Sequence, residues 1–219
     1  MGQIVLVAFG DSTTAPRQVN GRNLTVYADH LRREFGGRGL VVVNSGAGGN
    51  DTTMARARFE KDVLAHKPRI AAIQFGINDS AINVWNSETE PRVSIDVFEA
   101  NIRFFVSQLR QRDCNVILMT PNPLYWTDEL RKLYGKPPYM PDEFDGFSVT
   151  LDPYADRLRQ IRPELGCEFL DIHRLFREQV ARDRGMARDL LLDGMHPSDR
   201  GHTLVADSLV PAVRSLIDA

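Results

Sequence analysis

Cysteine is scarce in this sequence: Cys114 and Cys167 are the two among 219 residues. They form neither a CxxC pair nor a metal-ligand spacing, which excludes a disulfide scaffold and leaves no metal site to expect. Each stands beside a short apolar run, where a free cysteine serves as a small buried hydrophobe. Long apolar runs are absent too. None approaches the roughly 20 residues needed to cross a bilayer, so no membrane span is expected. The stretch from Gln3 to Phe9 is too short for a signal peptide and lacks its basic flank. As it stands the chain reads as soluble and cytoplasmic, or as secreted or periplasmic if a signal was removed ahead of Met1 and Gly2. Finally, neither sign of charge dominates: Lys+Arg number 27 against 29 Asp+Glu, a net charge of -2. With no basic stripe interleaved with aromatics, no nucleic-acid partner is expected.

What is present is an ordinary globular composition, 42% hydrophobic and 26% charged, enough for one well-buried domain over residues 1–219. Strand-length apolar runs recur at Ile4 to Phe9, Leu40 to Val43, Ile70 to Phe75, Val116 to Met119 and Glu168 to Ile172, apolar on both faces as buried parallel strands are. Between them lie helical patterns. Leu24, Ala28, Leu31 and Phe35 form one, Ala55, Phe59 and Val63 another, and Ile95, Phe98, Ile102, Phe105 and Leu109 a third, with Asp96 and Glu99 as a candidate capping box. Asp152-Pro153 opens a fourth helix, Leu175 to Arg184 supplies a fifth, and Pro197-Ser198 introduces a last one that Pro211 should kink or stop. Alternating strands and helices predict an α/β fold with one sheet covered on both faces. The irregular stretch is 121–151, rich in proline and aromatics, which predicts a long loop or lid that packs or binds.

Four of the five predicted strands end in a polar turn, and in open parallel sheets ligands bind at the carboxyl ends of the strands. Strand one runs into Gly10-Asp11-Ser12, strand two into a glycine run containing Gly49, strand three into Gly76-Ile77-Asn78-Asp79, and strand four into Thr120-Pro121-Asn122-Pro123. Ser12 alone reads as a turn or cap residue. It becomes a nucleophile only with a base in reach and an orienting group behind that base. Of the five histidines, His30, His66 and His202 read as solvated helix residues. His173, which follows Asp171, competes for the role of base. His196 stands in Asp193-Gly194-Met195-His196-Pro197-Ser198, where the carboxylate three residues earlier can fix its tautomer. That turn alone reads as a helix entry; beside Ser12, Gly49 and Asn78 the catalytic reading is the better one. The N–H groups of Ser12 and Gly49 and the side-chain amide of Asn78 could then converge as oxyanion donors.

These blocks, "FGDST", "NSGAGGNDTT", "GIND" and "DGMHPS", occur together in the order that characterises the GDSL, or SGNH, hydrolases, and the chain resembles that family over most of its length. The resemblance implies a three-layer α/β/α sandwich, flavodoxin-like, with a five-stranded parallel sheet in the order 2-1-3-4-5. It further implies an esterase with Ser12, Asp193 and His196 as catalytic residues, Ser12, Gly49 and Asn78 as the oxyanion hole, and no cofactor. Thr13 stands where the family name has leucine, and "GDST" is similar to the carbohydrate O-acetylesterase branch, such as rhamnogalacturonan acetylesterases. The expected partner is then a small-molecule or oligosaccharide ester, acetyl rather than long-chain. A lipolytic relative, lysophospholipase- or thioesterase-like, is the alternative, with a non-catalytic sugar-binding module on the same fold behind it. "GAGGND" is no dinucleotide loop, because Asp51 stands where the last glycine belongs. No G-x-S-x-G surrounds any serine, which excludes an α/β-hydrolase elbow.

Overall fold

The computed structural model describes residues 3–218; Met1, Gly2 and Ala219, and with them the expectation about a removed signal, lie outside the described residues. Five parallel strands form one sheet: β1 (Ile4–Gly10), β2 (Leu40–Gly46), β3 (Ile70–Gln74), β4 (Asn115–Met119) and β5 (Glu168–Leu170). Their spatial order is β2-β1-β3-β4-β5, the order the resemblance implies. Both faces of the sheet are apolar because alternate residues point opposite ways. Val7 and Phe9 of β1 enter one core together with α2 (Thr52–Asp62), α3 (Ile95–Arg110) and α5 (Asp152–Leu165). Leu6 and Ala8 enter the other, with α1 (Tyr27–Phe35), α6 (Ile172–Arg182), α7 (Met186–Leu190) and α8 (Asp199–Asp218). The first core is aromatic at its centre, where Phe9 meets Phe59, Phe75 and Phe105 at centroid distances of 5.6, 5.0 and 5.4 Å. Burying one such ring contributes about 1.5–3 kcal/mol.

Several local readings need correction. The third helix is capped by Ser94, whose Oγ accepts the Val97 N–H at 3.5 Å. Asp96 and Glu99 form no capping box and instead accept from Arg157. The first helix starts at Tyr27, leaving Leu24 ahead of it. The fifth strand ends at Leu170, so Asp171 caps α6 by accepting the Arg174 N–H, and Ile172 is helical. Pro211 does not stop the last helix, which runs on to Asp218. Both Pro211 and Asp207, whose carbonyl loses its partner, face solvent, where water can take up the free acceptor.

His202 is not solvated. It is 2% exposed on the face of α8 that packs against α1, and its Nδ1 accepts the Tyr27 N–H at 3.4 Å. Burial, reinforced by nearby His30, pushes its imidazole down to about 4, so it is neutral over most of the pH range. Among the described residues no helix is long and apolar enough to cross a membrane.

The stretch 121–151 contains a further helix, α4 (Asp128–Tyr134), capped by Thr127. Its aromatics pack on one another: Trp126 stacks on Phe147 at 4.6 Å, and Tyr139 lies 5.4 Å from both Phe147 and Tyr134. Tyr139 Oη also accepts the Ile82 N–H at 3.0 Å, pinning the stretch to the loop that follows β3.

Candidate active site

The registers of β1, β2 and β3 align Gly10 with both Gly46 and Gln74. Three strands therefore surface at one level, and the residues just beyond them share a crevice. Gly10 must be glycine, since a Cβ there would lie 2.1 Å from Thr14 Oγ1. The tight turn after it is held by Asp11, which is 1% exposed and accepts at 2.8 Å from both the N–H and the hydroxyl of Thr13. Thr13, the departure from the family name, thus fastens the turn from beneath. Burial raises the Asp11 carboxyl above its ordinary range, against the pull of these two donors and of His196. No helix follows directly, so the turn does not act as a helix cap.

Ser12 emerges from this turn with its Oγ 2.9 Å from His196 Nε2, a contact across 184 residues of chain. Behind it, His196 Nδ1 is 2.8 Å from Asp193 Oδ2. The other Asp193 oxygen accepts the backbone N–H groups of Met195 and His196 at 3.1 and 2.9 Å, so one carboxylate both shapes the turn and orients the ring. Burial would raise the Asp193 carboxyl, but the ring and backbone donors of His196 prevail and hold it at about 2. The turn is locked from outside. Gly194 (φ 83) donates its conformation to it, Asn122 Nδ2 donates to the Met195 carbonyl at 2.9 Å, and the Tyr125 N–H donates to the Gly194 carbonyl at 2.9 Å. A Cβ at Gly194 would lie 2.2 Å from the Tyr125 carbonyl oxygen.

Gly49 stands in the loop between β2 and α2 at φ 72, a conformation that favours glycine, and Asn78 stands in the turn after β3. Asn78 Nδ2 donates to the Asn50 carbonyl at 3.1 Å and lies 3.4 Å from Asp11 Oδ2. Ser12, Gly49, Asn78 and His196 all line one cavity of about 290 Å³, whose remaining wall is largely Leu124, Met195, Tyr134, Tyr139 and Phe147. Three of those rings or chains come from α4 and the loop beyond it. Trp85 stands one ring further out, 45% exposed and 4.6 Å from Tyr134 in an edge-to-face contact.

His173 is elsewhere. It is 3% exposed, its Nε2 is 3.0 Å from Asp152 Oδ1, and its Nδ1 lies 3.3 Å from Arg159. Its companion Asp171 is bound by Arg159 at 2.8 and 2.9 Å. The pair is part of a half-buried ion network just past the ends of β4 and β5 and does not meet Ser12. Two contributors escaped the sequence reading. Arg58 joins the ends of β1 and β2 by donating to the carbonyls of Gly10 and Ser45 and to Asn50 Oδ1. Arg92 reaches Gly49, Asn78 and Asp51 from the loop before α3. Neither carries a motif: Arg58 on α2 and Arg92 in a loop have no local signature of the distant groups they bind. Cys114 and Cys167 are free thiols, pushed up by burial to about 12 and about 11, so neither is a nucleophile at neutral pH.

A serine with a histidine in hydrogen-bond reach, a carboxylate orienting that histidine, and several donors around a small cavity can together perform acyl transfer. Residues 8–204 match the GDSL-like lipase/acylhydrolase family. The uncharacterized lipoprotein YqeF of Bacillus subtilis (strain 168) is 30% identical over 215 residues, 93% of this chain and 87% of its own. An acetylxylan esterase of Geobacillus stearothermophilus is 31% identical over 173 residues, 77% of this chain and 69% of its own. The solved structure of a catalytic serine-to-alanine mutant of Axe2, an acetylxylan esterase from Geobacillus stearothermophilus, superposes with a TM-score of 0.72 at 26% identity. That similarity covers 96% of this chain and 94% of the other.

Proposed function

The chain belongs to the GDSL-like lipase/acylhydrolase family, and from that premise we propose that this carboxylic ester hydrolase removes acetyl groups from carbohydrates through an acyl-enzyme on Ser12. The observation that carries the reading is the hydrogen-bonded chain Ser12–His196–Asp193 opening on the cavity. In this reading His196 Nε2 takes the Ser12 proton as Oγ attacks the ester carbonyl. The oxyanion is held by the N–H groups of Ser12 and Gly49 and by Asn78 Nδ2. The C–O bond to the sugar breaks, the alcohol leaves with the proton from His196, and water repeats the sequence on the acyl-enzyme. Asp193, ionised throughout the working range, keeps Nδ1 protonated and stabilises the imidazolium.

The acetyl-carbohydrate specificity is supported by the acetylxylan esterase relatives and by the ring-lined wall that Tyr134, Tyr139 and Phe147 put around a small cavity. The whole chain then acts as one hydrolase domain, with 121–151 as a fixed wall more than a lid. Trp85, exposed beside that wall, offers its ring to the C–H face of a sugar.

The test is an ester series. On p-nitrophenyl acetate, butyrate and octanoate, kcat/KM should fall with length, and acetylated xylo-oligosaccharides should be deacetylated, with Ser12→Ala inactive on all of them. Trp85→Ala should lose several-fold on the oligosaccharides and little on p-nitrophenyl acetate. A rate that climbs with chain length would assign the site to lipids instead, since each buried methylene is worth about 0.8 kcal/mol.

A further inference from the structure

An oxyanion donor is useful only while it points at the reacting oxygen, and a side-chain amide can turn its oxygen and nitrogen end for end. What decides the direction at Asn78 is the chemistry of its neighbours. On one side lie groups that can accept, the Asn50 carbonyl at 3.1 Å and the Asp11 carboxyl at 3.4 Å, and these draw Nδ2. On the other lies Arg92, whose guanidinium has donors only, with Nη1 3.3 Å from Asn78 Oδ1. A flipped amide would set its N–H groups against a cation.

The same guanidinium holds the second donor. Arg92 Nη2 donates to the Gly49 carbonyl at 3.0 Å and to Asp51 Oδ2 at 3.0 Å. Gly49 is in the left-handed region, at φ 72, with no side chain to pack, so a bond to its carbonyl fixes the peptide that follows and thereby narrows the turning of the preceding peptide, which carries the donor N–H. Asp51 is itself tied down as the cap of α2, its Oδ1 accepting the Met54 N–H at 2.9 Å. Arg92 is delivered to this position by backbone pairing. Its N–H donates to the Ala81 carbonyl at 3.1 Å, and the next residue's N–H donates to the Asp79 carbonyl at 3.0 Å. The segment therefore folds back along the turn that carries Asn78. One planar cation, 28% exposed on its side chain, spans the carbonyl of one donor residue, the amide of the other and an anchored carboxylate.

We propose that Arg92 is the positioning residue of the oxyanion hole, orienting the Asn78 amide and the Gly49 loop from the side away from the substrate. The proposal rests on the site reading above, in which Gly49 and Asn78 hold the oxyanion. Arg92 acts through these donors, so its loss should be felt in the transition state more than in substrate binding.

Arg92→Met and Arg92→Lys are compared with the wild type on p-nitrophenyl acetate, with thermal unfolding recorded for each. Arg92→Met should lower kcat by about ten- to fiftyfold and change KM by less than about threefold, less than the hundred- to thousandfold of deleting a donor outright. Arg92→Lys, whose single ammonium cannot span three acceptors, should recover part of the loss. In an Asn78→Ala background the same Arg92→Met change should have a several-fold smaller effect, because one of the two donors it orients is gone. A boronic acid that forms the tetrahedral adduct on the serine should lose affinity in parallel with kcat. Folded Arg92→Met with near-wild-type kcat would overturn the proposal, as would a loss confined to KM or full additivity with Asn78→Ala. If Arg92→Met does not fold, the kcat of Arg92→Lys decides by the same criteria. Turnover surviving in Ser12→Ala would instead bring down the site reading itself, a separate failure.

Discussion

Asp193→Asn, the smallest change that can be made to the proposed Ser12–His196–Asp193 triad, should be more damaging than its size suggests. Asp193 Oδ1 accepts two backbone N–H groups, from Met195 at 3.1 Å and His196 at 2.9 Å, while Oδ2 faces His196 Nδ1 at 2.8 Å. Asparagine has one oxygen to offer. If that oxygen keeps the two backbone bonds, the amide NH2 faces Nδ1, which must then carry a lone pair, and the ring proton moves to Nε2. There it points at Ser12 and cannot accept the serine proton. The reverse orientation keeps the productive tautomer but sets the NH2 against two backbone donors. Two hydrogen bonds at about 0.5–1.5 kcal/mol each would be lost, roughly 1–3 kcal/mol, before counting the donors left unsatisfied. At about 1.4 kcal/mol per tenfold, the unproductive tautomer is favoured by roughly 5- to 150-fold. Both orientations also lack the negative charge that stabilises the imidazolium, and the two effects together should bring kcat down by about a thousand- to ten-thousandfold. Asp193→Ala imposes no tautomer, so it should be at least as active as Asp193→Asn although it removes more atoms. Steady-state kinetics on p-nitrophenyl acetate, with thermal unfolding to show that the turn survives, make the comparison. An asparagine variant with more than a tenth of wild-type kcat, or clearly better than the alanine variant, would refute the reasoning.

His173→Ala should leave kcat within several-fold of wild type while lowering Tm by about 2–10 °C, since it strips buried partners from Asp152 and Arg159; a loss of orders of magnitude at unchanged Tm would move the role of base to His173. Asp79 supplies a pH-dependent prediction. Burial pushes its carboxyl up to about 7 despite the donors of Thr52, and one of its oxygens has no hydrogen-bond partner. The folded state thus holds this proton more tightly than the unfolded chain, where the ordinary value of 3.8 applies. The resulting stability is fully present below about pH 4 and lost as pH rises to about 7. The Tm of Asp79→Asn relative to wild type should therefore climb between about pH 4 and 7 and level off above, and a difference constant across that range would refute the assignment.

The local pattern of residues determined the sheet and the places where a site could form. Runs apolar on both faces, separated by amphipathic helices, have few ways to be buried other than as a covered parallel sheet, and polar turns at the ends of β1, β2 and β3 mark where such a sheet surfaces. Ser12, Gly49 and Asn78 were legible for that reason, and the Asp193–His196 turn only through its place in the order of motifs along the chain. What the tertiary structure decided is which distant groups meet. His173 and His196 each follow an aspartate by two or three residues; bonds to Asp152 and Arg159 of α5 hold the first in an ion network, while the Asn122 and Tyr125 contacts hold the turn that brings the second to Ser12. His202 occupies a position on α8 whose burial depends on α1, an element some 170 residues earlier. Pro211 is tolerated on a side of α8 where it and Asp207, whose carbonyl it leaves without a helical partner, are both exposed. Arg92 meets its three partners through a fold-back of the chain on the turn after β3. Periodicity and capping are interactions over a few residues and are written in the sequence around them, whereas a contact such as that of Ser12 with His196, 184 residues apart, exists only once the sheet has brought its strand ends into register.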